Sequence, residues 1–115
     1  MEETFFVTHR EGERVGPRGH RVLAELPQIE AIELSYGPDF EGVDLHTHPD
    51  HADSFYVLEG EVEFFLDDAW HRAGPGTFLS APPGIEHGFR PCGRSFRLLN
   101  FHTPNVGFIG RLRED

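Results

Sequence analysis

The chain has 115 residues, 37% of them hydrophobic, eleven phenylalanines and a formal net charge of −10. That length holds one domain with a core of its own and is too short for two, and the apolar content excludes a disordered chain. All ten basic residues are arginines and they form no basic cluster, which excludes a phosphate-neutralising nucleic-acid surface and attraction to an anionic membrane.

Thirteen glycines and nine prolines are many for a helical chain. They punctuate short extended runs, which is the composition of an antiparallel all-β domain. Residues 1–19 mix charge, glycine and proline and read as an N-terminal arm leading into a single domain over 20–115. Strands are predicted near 20–26, 28–36, 43–48, 54–59, 61–66, 69–72, 76–80, 85–90 and 95–103, each bounded by Pro, Gly or Asp. Glu59-Gly60 and Asp67-Asp68 read as hairpin turns. Leu23, Leu26, Ile29 and Ile32 approach helical spacing, but Pro27 interrupts them, and Ile29, Ala31 and Glu33 alternate as in a strand. Residues 104–112 are left for a short terminal turn.

Cys92 is the sole cysteine, so no intrachain disulfide can form. The opening Met-Glu-Glu-Thr-Phe-Phe is acidic where a signal peptide carries positive charge, and no apolar run reaches membrane-spanning length. A cytoplasmic location is the expectation.

Two segments carry the chemistry. The first holds His46-Thr-His48-Pro-Asp-His51-Ala-Asp53; the second runs from Gly76 through Pro82-Pro83-Gly84 to His87. Residues two apart on a strand share a face, so His46 and His48 can offer both imidazoles to one ion. Asp53 opens the next apolar run, and His87 follows a Pro-Pro-Gly bend. Three neutral nitrogens and one carboxylate suit a divalent first-row transition metal. Eight histidines in 115 residues give a His-x-His pair by chance on the order of one time in two, so that pair carries weight only jointly with the rest.

Taken together, these residues resemble the cupin family of small jelly-roll β-barrels, also described as double-stranded β-helices. Its first motif reads Gly, five residues, His-x-His, three or four residues, Glu, six residues, Gly; here His46, His48, Asp53 and Gly60 keep that spacing. Its second reads Gly, five residues, Pro-x-Gly, two residues, His, three residues, Asn; here Gly76, Pro82, Gly84 and His87 keep it. Phe40 stands at the opening glycine, Pro91 at the asparagine, and Asp53 at the glutamate. The aspartate is one methylene shorter, about 1.5 Å of reach. A three-histidine site completed by water is the alternative to four ligands. The resemblance spans roughly residues 30–103.

His51, in the turn between the ligands, reads as an exposed loop histidine or a substitute for Asp53. His102, on the last predicted strand, reads as a structural histidine or one placed behind the metal ligands. Phe55 and Val57 share a strand face with Asp53 and are expected to line a cavity, with Tyr56 and Leu58 facing away. Phe64, Phe78, Phe89, Phe96 and Phe101 read as core. Trp70 is placed over one barrel end or at a seam between subunits. His9, His20 and His71 carry no pattern.

The resemblance implies a divalent metal (Fe, Mn, Ni or Zn) and a small-molecule ligand or substrate. It also implies a metal-dependent dioxygenase, with a cupin isomerase or epimerase and a non-catalytic binding module as alternatives. A homodimer is expected, because cupin barrels pair through exposed edge strands.

Overall fold

The computed structural model describes residues 3–115, in which ten strands and one short helix are found. They are β1 (Arg14–Val15), β2 (His20–Leu26), β3 (Ile29–Tyr36), β4 (Val43–His46), β5 (Ala52–Glu59) and β6 (Val62–Leu66). Then follow β7 (Ala69–Ala73), β8 (Phe78–Ala81), β9 (His87–Pro91), β10 (Phe96–Thr103) and α1 (Phe108–Arg113). The strands build two antiparallel sheets in the order β1-β2-β3-β10-β5-β8 and β4-β9-β6-β7. From β3 onward the chain passes repeatedly from one sheet to the other, the double-sheet jelly roll expected from the sequence. No helix among the described residues is long and apolar enough to cross a membrane.

Alternation builds the core. Along β10, Phe96, Leu98, Asn100 and His102 are buried while the residues between them are half-buried or exposed. The inward faces of β3, β5, β6 and β9 add Ile32, Leu34, Phe55, Val57, Val62, Phe64 and Phe89. Phe64 lies directly opposite Phe89 across β6 and β9, and Phe55 packs on both, with centroids 5.2 and 5.5 Å away. Burying such aromatic rings contributes about 2–3 kcal/mol each.

Several local expectations need correction. Phe78 is 59% exposed and Phe101 half-buried, because both lie on the outward face of the larger sheet. The hairpin expected at Asp67-Asp68 does form between β6 and β7, as a left-handed pair with φ of 54° and 59°. Gly60 instead carries the chain from one sheet to the other. Its φ is 78°, and a Cβ there would collide with the Ser95 carbonyl and Phe96. Trp70 packs on Phe65 and under the Arg90 guanidinium, 3.8 Å from its ring centroid. Within the N-terminal segment, Arg14–Val15 pairs with β2 and Val15 enters the core.

The terminal turn is the helix α1, and its anchor comes from another element. Gly107 at its start offers no side chain to cap it. The fully buried Glu30 carboxylate on β3 accepts from the backbone N–H of Val106, Phe108 and Ile109 at 3.1, 3.2 and 3.1 Å. Burial would raise its pKa, but these amides and His102 outweigh that and hold it below the usual carboxylate range. Glu30→Ala leaves those buried donors unpaired, a loss expected to reach about 3 kcal/mol or more in urea unfolding. Hydrogen exchange at Val106, Phe108 and Ile109 should accelerate in that variant. Unchanged protection there would contradict the anchoring role.

His20 reports on acid stability. Its Nδ1 accepts the Ser35 N–H at 3.0 Å within a buried environment, so the neutral ring is the one that fits. Burial, then the charge of Arg18, pushes its pKa down from 6.5 to about 4. Between those values the unfolded chain binds a proton that the folded chain refuses, so stability falls as pH drops through this window. The contribution is up to roughly 3 kcal/mol. His20→Asn retains an acceptor without titrating, and should flatten this part of a urea-midpoint profile measured from pH 7 to 4.

Candidate metal centre

Strand register gathers the site at one end of the barrel. Glu30, His102 and Asp53 stand directly opposite one another across β3, β10 and β5. In the facing sheet His46, the last residue of β4, stands opposite His87, the first of β9. Cross-strand partners share a face, so all five side chains point into the same end. The one departure is His48, which lies beyond β4 on the loop, not on the strand predicted over 43–48. Its carbonyl accepts the Gly84 N–H at 2.7 Å, which ties this loop to the Pro-Pro-Gly bend ahead of His87.

His46, His48, Asp53 and His87 each offer one ligand atom, and these four atoms lie within 4.8 Å of one another. Such a group can hold a metal ion. Asp53 Oδ2 reaches to 2.9 Å from His87 Nε2 and 3.4 Å from His48 Nε2, despite the shorter side chain. The rings are held from behind. The Nδ1 atoms of His46 and His87 lie 2.7 and 2.9 Å from the carbonyls of Asp44 and Ile85, which accept an N–H and leave Nε2 facing the cluster. The donor chemistry and its support therefore fit a divalent transition ion.

Sequence reasoning missed two residues that hold this arrangement. Asn100 donates from Nδ2 to Asp53 Oδ1 at 2.7 Å and to the Ser54 carbonyl at 3.0 Å. Glu30 lies 2.9 Å from His102 Nδ1, and His102 Nε2 lies 3.4 Å from Asp53 Oδ1. Each is a polar residue on the apolar face of its strand, beside Ile32 or Leu98, and that parity was the signal available.

Charge is distributed to suit the same reading. Burial would raise the Asp53 pKa, but hydrogen bonds from His102, His87 and Asn100, with the charge of His102, hold it well below the usual range. Burial works against charging His102 and His87, yet the neighbouring carboxylates prevail and raise both pKa values. His48 goes the other way, lowered by burial and then by His51. Its neutral form is the ligating one.

A cavity of about 390 Å³ opens beside the cluster, with Phe55, Phe89, Val106 and Phe108 among its apolar walls. Phe55 lines it as expected. Val57 faces the same way but sits deeper, fully enclosed in the core, and does not reach the cavity wall. His51 is not the exposed loop residue expected: it is only 6% exposed and lines the cavity. His102 lines it too. His46, His48, Asp53 and His87 come together, while His51 and His102 flank them.

The profile of the Cupin domain family matches residues 33–101. Quercetin 2,3-dioxygenase of Bacillus subtilis (strain 168) is 30% identical over 104 residues, covering 86% of this chain and 29% of that protein. The chain thus spans less than a third of that relative's length. Among solved structures, KdgF from Halomonas sp. is similar with a TM-score of 0.76 and 23% identity. An RmlC-like cupin from Shewanella frigidimarina NCIMB 400 gives a TM-score of 0.76 and 22% identity. Each match covers 91% of this chain and 96% of the other, and at such identity the likeness is one of fold.

Removing a ligand and removing a support should differ in degree. His87→Ala is expected to abolish stoichiometric metal uptake, whereas Asn100→Ala should weaken affinity about 10- to 100-fold. Chelator competition on untagged protein measures both. Because the raised His87 pKa makes a proton compete with the ion, affinity should fall as pH drops through the range in which that ring takes up its proton, by about tenfold per pH unit for each proton displaced. Affinity constant from pH 7.5 to 5 would exclude histidine ligation.

Proposed function

The chain belongs to the cupin domain family, and we propose that it is a metal-dependent enzyme, a dioxygenase acting on a small oxygen-bearing organic molecule. One observation carries this reading: three histidines and a buried carboxylate converge beside a cavity of ligand size. The dioxygenase relative at 30% identity supports the reaction class. A bound divalent ion would supply Lewis acidity at the four donors and, as Fe(II), the capacity to activate dioxygen.

The remaining work falls to the chain. Asn100 and His102 fix Asp53 in orientation, so its Oδ2 faces the cluster. Leu34, Phe55 and Phe89 make the inner wall apolar and favour an apolar ligand body against it. Val106 and Phe108, anchored by Glu30, close the side formed by the C-terminal segment.

A second reading, an isomerase or epimerase, is favoured by His48, which lines the same cavity with its Nε2 3.4 Å from the Asp53 carboxylate. Such a group can move a proton beside a carbonyl. Oxygen consumption separates the two. Untagged, metal-loaded protein should take up oxygen with phenolic substrates such as quercetin, and His87→Ala should lose that uptake. Full turnover under nitrogen would overturn the dioxygenase in favour of the isomerase. Tight retention of a metabolite without turnover would favour a binding module.

We also propose a homodimer through the outer face of the larger sheet. There Tyr56 and Phe78, direct partners across β5 and the edge strand β8, are 36% and 59% exposed. A sedimentation mass near 13.1 kDa, that of one chain, would contradict it.

A further inference from the structure

Arginines that stand apart along the chain meet on the outward face of the larger sheet. Arg14 and Arg21 are direct partners across β1 and β2, and Arg21 stands opposite Glu33 on β3. Two residues further on, Ser35 on β3, Arg97 on β10 and Glu59 on β5 lie opposite one another. Cross-strand partners share a face, so these side chains rise from one side of the sheet. The N-terminal turn lies across them: Arg21 Nη1 donates to the carbonyls of Thr8 and Glu11 at 3.3 and 3.0 Å. Sheet and turn bound a cleft of about 340 Å³, whose lining His9 and Arg10 complete.

The charges in this cleft do not balance. Four guanidinium groups, those of Arg10, Arg14, Arg21 and Arg97, stand against the two carboxylates of Glu33 and Glu59. Glu33 is buried and engaged at both oxygens, by Arg21 at 2.7 Å and by Arg97 at 2.9 Å. Glu59 accepts from Arg97 Nε at 2.9 Å. Arg10 and Arg14 pair with no carboxylate among the described residues, and Arg14 donates instead to the Gly19 carbonyl at 3.2 Å. The result is a local excess of two positive charges in a chain of net charge −10. A second cavity, of about 420 Å³, adjoins the cleft: it shares Ser35, Glu59 and Arg97, and Arg18, Tyr36 and Phe96 are among its other walls.

We infer that the cleft is a binding site for a phosphate dianion, free or as the ester of a small molecule whose body extends into the adjoining cavity. Two surplus cations match two negative charges, and a guanidinium fork donates in parallel to two phosphate oxygens. Arg10 and Arg14 supply the forks that no carboxylate occupies. The bound anion ties the turn at residues 8–11 to the sheet beneath it. None of the cleft's residues lines the cavity at the candidate metal centre, and Glu33 and Ser35 lie on the opposite face of β3 from Leu34, so the site is independent of the metal-dependent reading.

The test is titration calorimetry on the full chain with inorganic phosphate and with glycerol 3-phosphate, at constant ionic strength set by sodium chloride. A pH of about 7.5 keeps the phosphate group mostly doubly charged. Wild type should bind at least one of the two saturably. Arg10→Gln and Arg14→Gln should each weaken binding about tenfold or more, and the doubly substituted chain should lose it. Both side chains are exposed, so neither change disturbs the core. Glu59→Gln removes a carboxylate from the cleft and should tighten binding severalfold, a gain that a damaged fold does not produce. His87→Ala should bind phosphate as wild type does. Tighter binding of glycerol 3-phosphate assigns the cleft to phosphate esters, and tighter binding of inorganic phosphate assigns it to the free ion; either supports the inference. Absence of saturable binding by wild type overturns it, as does unchanged affinity in the doubly substituted chain. Affinity in Glu59→Gln at or below that of wild type contradicts it too. Affinity lost in His87→Ala places the anion at the metal group, which overturns this inference and leaves the metal-dependent reading standing.

Discussion

The row Glu30–His102–Asp53 is the constraint on which this end of the barrel depends. Two buried carboxylates flank one imidazole, and neither could remain charged there without it and the amides around it. Asp53 keeps its charge because His102, His87 and Asn100 address it. Glu30 keeps its own because three backbone N–H groups of the C-terminal segment do the same. A slip of one residue between β10 and either neighbour would turn its alternate face inward and leave a buried charge uncompensated. Register here is thus enforced by electrostatics as well as by the apolar layer beneath.

That row also joins two things which look separate along the chain. Asp53 belongs to the candidate metal group, and Glu30 pins the segment that carries Val106 and Phe108 into the cavity wall. His102 touches both carboxylates. The placement of a candidate metal ligand and the shape of the adjoining cavity therefore rest on one hydrogen-bonded chain. The formal charge of −10 adds a long-range bias that favours cations near this protein, although the local donors decide where one is held.

Much of this was legible in the sequence, and the failures have definite causes. Strand positions were readable because Pro, Gly and Asp break the chain wherever alternation stops. His46, His48, Asp53 and His87 were readable because two spaced motifs name them together. Glu30 and Asn100 were not, since a single polar residue on an apolar strand face looks like noise until its partner is known. Val57 shows a different limit: parity gives the face a side chain occupies, and says nothing of depth along the barrel. Glu59-Gly60 shows a third, because the same dipeptide can close a hairpin or cross between sheets, and only tertiary pairing decides which. His51 was misplaced because a histidine within a Pro-Asp-His-Ala turn carries no mark of burial.

The candidate ligands also differ in what supports them. His46, Asp53 and His87 sit at strand ends, where ladder bonds and register fix the backbone. His48 and His51 ride on the loop between β4 and β5, held by the Gly84 N–H and by Asp50. Strand-borne groups hold a fixed geometry, whereas loop-borne groups can adjust as their few bonds permit. The shorter aspartate at position 53 fits this division. The loop places His48 Nε2 3.4 Å from Asp53 Oδ2, so the shorter carboxylate still meets a loop-borne imidazole as well as the strand-borne His87. The same loop buries His51 beside His48, their ring centroids 4.2 Å apart, so two of the site's imidazoles take their positions from one short segment rather than from strand register.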